Sequence, residues 1–254
     1  MTRDWDAATY DRVADPMTRW GATVLDRLPL DGSETVLDAG CGSGRVTELL
    51  CERLPDGHVV AVDGSPAMID AARARLARFG ERVSYVVADL GRPLPMDRRV
   101  DAVLSTATFH WVGDHDALFR NLAAVMRPAA RLVAQCGGAG NIARIQAVLA
   151  AIGDGWLGPA HFETAEATAS RLRAAGFVDV ACWLVKEPTT LPPGEPFETY
   201  LATVVLGAHL GRLAPAERGP FVREVAMRLG SPEIDYVRVN IDARRPAVGV
   251  SETP

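Results

Sequence analysis

Between Thr35 and Cys136, short runs of β-branched and aliphatic residues alternate with longer stretches whose apolar residues recur every three or four positions. No other feature constrains the fold as tightly. The strand-type runs are Thr35–Ala39, His58–Asp63, Val83–Asp89, Val100–Thr106 and Arg131–Cys136; the helical ones are Arg45–Leu54, Pro66–Phe79 and His115–Met126. Ser65 before Pro66, and Asp114 before His115, are N-cap signatures opening the second and third helices. Strands separated by helices pair in parallel, with helices on both faces, so an α/β, doubly wound sheet is expected. Ligands of such sheets sit beyond the carboxyl ends of the strands, where the strand order reverses.

Upstream, Asp4–Leu28 carries Trp5, Tyr10, Met17, Trp20 and Val24 at helical spacings with a break expected near Pro16, so one or two helices precede the first strand. Downstream, helices Ile142–Ile152 and Thr164–Ala175 lead to a β-rich run, Val178–Lys186. After LPPGEP come helical stretches Phe197–Leu210 and Glu217–Leu229, then an alternating run, Ile234–Ile241. The expected organisation is a single domain over 1–254, with an N-terminal helical lid over 1–30 and a helical cap inserted before the last strand over 189–232. Within the cap, Tyr200, His209 and Phe221 read as helix-packing residues ahead of acceptor-pocket lining.

Composition narrows the partners. Acidic residues outnumber Lys and Arg by 32 to 27, which disfavours a nucleic-acid partner. Cys41, Cys51, Cys136 and Cys182 form no CxxC pair, so neither a metal site nor a disulfide framework is expected, and a reduced cytoplasm suits them. The start lacks the apolar stretch of a signal peptide, and the longest apolar run, around Tyr200–Leu206, is too short for a bilayer; a cytoplasmic protein with no membrane partner is expected.

The most informative segment is VLDAGCGSGRVTELL, Val36–Leu50. Gly40, Gly42 and Gly44 lie between a strand and a helix, where missing side chains let a ligand approach backbone amides. Asp38 closes the first strand, Asp63 the second and Asp89 the third. A carboxylate at Asp63 can accept from two ribose hydroxyls, and one at Asp89 from an adenine amino group. Each acid alone is equally well explained as a solvated strand end, but three around one glycine loop point to a nucleoside-like ligand. A dinucleotide fingerprint, GxGxxG, would place the last glycine three residues after the second. Here Gly44 follows Gly42 by two, and Asp38 is an extra acid.

These residues resemble the class I S-adenosylmethionine-dependent methyltransferases. DAGCGSG is similar to that family's acid-plus-GxGxG signature, AVDGSPAMI (Ala61–Ile69) resembles its second motif, and VVADL from Val86 and LSTATFHWV from Leu104 resemble its third and fourth. The run Phe109–Gly138 and the N-terminal helix most resemble the trans-aconitate methyltransferase-like group of small-molecule methyltransferases. The resemblance implies a mostly parallel, seven-stranded Rossmann-like sheet and S-adenosyl-L-methionine as cofactor. It places Asp38 and Gly40 near the methionine moiety, with Gly42 and Gly44 in the same loop. It also places Asp63 on the ribose, Met68 on the adenine, Asp89 and Leu90 at the adenine's amino edge, and Thr106 beside the methionine part. Tyr10 and Trp20 fall on the lid, and Phe109 and Trp111 form an aromatic wall on the substrate side. One departure is MRPAARLV, with Ala129 and Ala130 where relatives often carry glycines.

The fourth strand end lacks the Asn/Asp-Pro-Pro-aromatic signature of enzymes that methylate nucleobase or amide nitrogens, which with the negative charge points to a small-molecule acceptor. His110 is the catalytic candidate, as base or as acceptor-orienting group, and a structural histidine explains it equally well. The expected activity is methyl transfer to a carboxylate or hydroxyl oxygen, ahead of an isoprenoid or other natural-product carbon. A non-catalytic cofactor-binding module is the reading from another class. An apolar, aromatic acceptor pocket would favour an isoprenoid or polyketide-like molecule, and converging arginines a polyacid.

Overall fold

In the computed structural model, which describes residues 15–152 and 155–247, the chain enters through helix α1 (Asp15–Leu25). It then alternates through β1 (Thr35–Ala39), α2 (Arg45–Arg53), β2 (His58–Asp63), α3 (Pro66–Leu76), β3 (Val83–Val87), β4 (Val100–Thr106), α4 (His115–Val125) and β5 (Met126–Gly137). Helices α5 (Ala143–Ile152) and α6 (Ala165–Ala174) lead to β6 (Val178–Lys186) and the short β7 (Thr189–Thr190). Next come α7 (Glu195–Tyr200), a π-helical turn (Leu201–Val205), α8 (Gly207–Leu210), α9 (Pro215–Leu229), β8 (Glu233–Ile234) and β9 (Val237–Arg244). Tyr10 and the rest of the segment before Asp15 lie outside the described residues.

Seven strands form one sheet in the order β3-β2-β1-β4-β5-β9-β6, and only β9 runs against the others; β7 and β8 pair separately. The period of two along each strand sends alternate residues into different cores. Leu37, Val60, Val62, Val103 and Leu132 pack under α4 and α6, whereas Val36, Val59, Ala61, Leu104 and Val133 pack under α1, α2 and α3. Strand order reverses between β1 and β4, which opens a crevice at their carboxyl ends. A third apolar cluster joins Trp20 and Leu149 to Tyr200, Leu201, Leu206 and Val225 of the helices between β6 and β9. Among the described residues no helix is long and apolar enough to cross a membrane.

Three elements depart from the sequence reading. The helix expected over Phe197–Leu210 is broken by the π-turn, in which the Leu206 N–H donates to the Leu201 carbonyl at 2.7 Å. The added residue lets two leucines five apart both reach the core. The helix expected to reach Phe79 stops at Leu76 and passes through a 3₁₀ segment, Ala77–Arg82. Strand β5 begins at Met126, not Arg131, and its register against β4 shifts between Val100/Met126 and Ala102/Arg131. Within that irregularity Ala129 adopts φ 63°, held there as its N–H donates to the Pro246 carbonyl at 3.1 Å. An alanine thus keeps the turn that glycine would adopt freely. Replacing Ala129 by Gly is expected to stabilise the protein by about 0.5–1 kcal/mol, since ~1–2 kcal/mol of left-handed strain is relieved and part of it is lost to backbone entropy. A raised urea midpoint with unchanged slope checks this, and a lowered midpoint contradicts it.

Candidate active site

The loop after β1 is shaped by what stands over it. At Gly40, where φ is 87°, a Cβ would fall 2.1 Å from the Thr108 hydroxyl oxygen, so the segment after β4 sits directly on the loop. That hydroxyl lies 3.1 Å from the Gly40 carbonyl and 2.9 Å from the Thr106 carbonyl, sharing its proton between them. Gly44 is required for another reason. A Cβ there would press on Leu76 and Ala72 at 3.2–3.3 Å, so its absence lets α2 approach α3, and Gly44 does not line the crevice.

The amides expected to meet a ligand are already engaged. Gly40 and Cys41 donate to the Val62 carbonyl at 2.7 and 2.9 Å, Gly42 donates to Asp63 Oδ2 at 2.9 Å, and Gly44 donates to the Cys41 carbonyl at 3.0 Å. These four amides are therefore turned to the protein's own acceptors.

Asp63 closes β2 with one backbone donor on each oxygen, Ser65 N–H on Oδ1 and Gly42 N–H on Oδ2, both at 2.9 Å. Each oxygen keeps a lone pair for a further donor. Burial pushes this carboxyl above its ordinary range, against the pull of those amides. Asp63, Gly40, Gly42, Met68 and Thr106 line one crevice together. Asp38 is buried: its Oδ2 accepts from the Thr47 hydroxyl at 2.7 Å, while Oδ1 has no hydrogen-bond partner. Burial, with Asp63 adding to it, raises the Asp38 carboxyl to about 7. This buried oxygen stands two residues before Gly40, beneath the loop.

Three expected residues are taken up in packing, and Asp89 stands one residue past Ala88, whose N–H donates to the Asp63 carbonyl at 3.0 Å. Because β3 ends at Val87, Asp89 lies in the following turn, exposed, with its carboxylate accepting from Gly91 N–H at 2.9 Å. Leu90 is buried in the core and its carbonyl accepts from Asn121 Nδ2 at 3.0 Å. Phe109 is a core residue edge-on to Phe119, ring centres 5.9 Å apart. Trp20 stands behind the site, edge-on to Tyr236 at 5.1 Å and beneath the Arg238 guanidinium at 4.9 Å.

Beside the crevice lies a cavity of about 690 Å³, part of it open to solvent, whose wall includes His110, Asn141, Phe162, Tyr236 and Arg238. Ala107 lines the cavity, this crevice and a second pocket over Cys41 and Ser43; Trp111 is shared by the cavity and the crevice, and Met17 by the cavity and the second pocket. Ala107 takes φ 55° as it leaves β4, and its N–H donates to the Gln135 carbonyl at 2.7 Å. Strain of this kind, roughly 1–3 kcal/mol, persists where surrounding structure enforces it. His209 also reaches the wall, so it does more than pack helices. Arg238, buried on β9, is absent from the sequence-based candidates; its signal is an arginine at an inward position of the alternating run YVRVNID.

His110 stands on the cavity wall. It is buried, its Nδ1 accepts from Gly137 N–H at 3.3 Å, and its ring tilts against Trp111 at 4.8 Å. Burial, then the charges of Arg238 and His115, holds the imidazole well below its ordinary range. The ring is therefore neutral with its proton on Nε2, a hydrogen-bond donor.

Residues 36–129 match the family model of a methyltransferase domain. The trans-aconitate 2-methyltransferase of Methylobacterium radiotolerans is 37% identical over 132 residues, covering 52% of this chain and 49% of that protein, so the chain spans about half the length of this relative. The trans-aconitate 2-methyltransferase of Methylobacterium nodulans is 33% identical over 188 residues, covering 74% of this chain and 70% of that one. A solved structure of Haemonchus contortus phosphoethanolamine N-methyltransferase 2, in complex with phosphomonomethylethanolamine and S-adenosylhomocysteine, is similar with TM-score 0.65 and 17% identity, over 94% of this chain and 57% of that one. The latter is a likeness of fold.

The Asp38 carboxyl generates a pH prediction. Raised from its ordinary 3.8 to about 7, it keeps in the folded protein a proton that the unfolded chain releases, so its contribution to stability falls as pH rises through that window. Asp38→Asn retains an acceptor for Thr47 and removes this dependence. In urea titrations without ligand, the variant's stability relative to the parent is expected to rise from about pH 5 to about pH 8. A constant difference contradicts the burial of an ionisable Asp38.

Proposed function

The chain belongs to the class I S-adenosylmethionine-dependent methyltransferases, and we propose that it methylates a carboxylate oxygen of a small molecule. The observation that carries this reading is Ala107, which lines the cavity and both pockets of the glycine loop, with Met17 and Trp111 each shared between the cavity and one of those pockets. Two compartments meeting at one strand end suit a donor and an acceptor that must touch at a single atom pair.

When bound, S-adenosylmethionine supplies a methyl group activated on a sulfonium. In this reading Asp63 holds the ribose hydroxyls, Met68 packs on the adenine, Gly40 and Gly42 form the floor, Thr106 flanks the methionine part, and Asp38 lies near that part beneath the loop. In-line displacement draws its acceleration from alignment and exclusion of water, so the chain need supply few reacting groups. Helix α1, through Met17, and the helices between β6 and β9, through Val204 and Val205, act as lid and cap.

The choice of acceptor rests on His110 and Arg238. A carboxylate is already ionised at neutral pH and needs a cation and a donor to orient it, which the Arg238 guanidinium and the His110 Nε2–H provide. A carbon acceptor would need a proton removed, and a neutral imidazole protonated on Nε2 is badly placed to take one. The four cysteines are all free thiols, which fits a reducing compartment such as the cytoplasm.

Methyl-labelled S-adenosylmethionine incubated with a panel of small carboxylic acids is expected to give alkali-labile methyl esters; alkali-stable label, or none with any acid, contradicts the carboxylate reading. Asp63→Ala is expected to weaken donor binding at least about ten-fold in calorimetry, since hydrogen bonds to a charged group contribute roughly 1.5–3 kcal/mol. Unchanged affinity would remove Asp63 from the ribose. His110→Ala is expected to raise the acceptor KM by about five- to ten-fold through loss of one hydrogen bond of about 1 kcal/mol, with a smaller change in kcat. A collapse of kcat alone would restore the histidine as a base.

A further inference from the structure

Resting on the methyl-transfer reading above, we propose that the acceptor carries one carboxylate on an extended apolar body and is not a compact polyacid. Among the described residues Arg238 is the one arginine or lysine, and the one fixed charge, on the cavity wall. Three neutral polar atoms nearby already share hydrogen bonds. Asn141 Oδ1 accepts from Val237 N–H at 3.0 Å, the Tyr236 and Tyr200 hydroxyls are 2.7 Å apart, and His209 Nε2 lies 3.1 Å from the Trp156 carbonyl.

Opposite them the wall is hydrocarbon. Ile142 and Leu149 come from α5 and the residue before it, Leu157 stands partly exposed, and the π-turn sets two consecutive β-branched residues, Val204 and Val205, on the same lining. A second or third carboxylate would be stripped of water against these side chains with no counter-charge among the described residues, whereas an alkyl or aryl body gains from leaving water there. An acid head at Arg238 and His110, close to the shared wall, with an apolar tail toward Leu149 and Val205, uses every part of the lining.

The test is calorimetry of the full chain saturated with S-adenosylhomocysteine, titrated with octanoate, octan-1-ol and propane-1,2,3-tricarboxylate. Octanoate is expected to bind at least about ten-fold more tightly than either comparison compound, and Val205→Trp is expected to weaken octanoate at least about ten-fold while S-adenosylhomocysteine affinity confirms the fold. Tighter or equal binding of the tricarboxylate overturns the monoacid class. So does octanol matching octanoate, failure of both acids to bind, or an octanoate affinity that a folded Val205→Trp variant leaves unchanged. Failure to bind S-adenosylhomocysteine is a separate result: it removes the donor reading, and this inference falls with it.

Discussion

The site depends on one steric fit: the side chain of Thr108 rests on Gly40, in space that any other residue's Cβ would occupy. This contact presses the end of β4 against the loop after β1, at the point where strand order reverses. Everything downstream follows from it. Ala107 is turned into a left-handed conformation, Trp111 swings onto the crevice, and the chain then forms the short 3₁₀ turn that points Phe109 into the core and His110 toward the cavity. Adjacency of the two compartments is thus a consequence of packing, not of a flexible loop.

The electrostatics follow from which donors are already occupied. The amides of Gly40, Cys41, Gly42 and Gly44 are taken up by Val62, Cys41 and Asp63, which leaves the Asp63 lone pairs as the crevice's polar means of recognition at that point. That arrangement suits an adenosyl ligand with a cationic amino-acid part better than a pyrophosphate, which seeks free backbone donors at a helix start. On the other side, burial keeps His110 neutral while Arg238 stays charged, so the cavity offers a donor and a cation with no strong base.

The order of elements from β1 to β5 is legible in the sequence because alternation of period and capping residues are local signals. Ser65 and Asp114 do accept from the amides of Met68 and Ala117, as an N-cap must. The glycine loop, Asp63, Met68 and Thr106 are legible because each stands at or just beyond a strand end. Asp89 and Leu90 lie past a strand that stops two residues early, and Phe109 is turned inward by the handedness of a three-residue turn. Neither is encoded in spacing. Gly44 reads as a ligand-facing glycine, but its requirement comes from α3, a neighbour distant in sequence. The place of Arg238 and His209 on the cavity wall arises only when β9 and the helices before it fold back over the β4 end; the inward position of Arg238 in its alternating run marks it as unusual but does not say which cavity it joins.

The most direct test is a crystal structure of the protein with S-adenosylhomocysteine. The account predicts the ribose on Asp63 and the sulfur opening between Met17, Ala107 and Trp111 into the cavity that holds Arg238. A ligand bound with its sulfur turned away from that cavity, or an adenosyl group seated apart from Asp63, would contradict it.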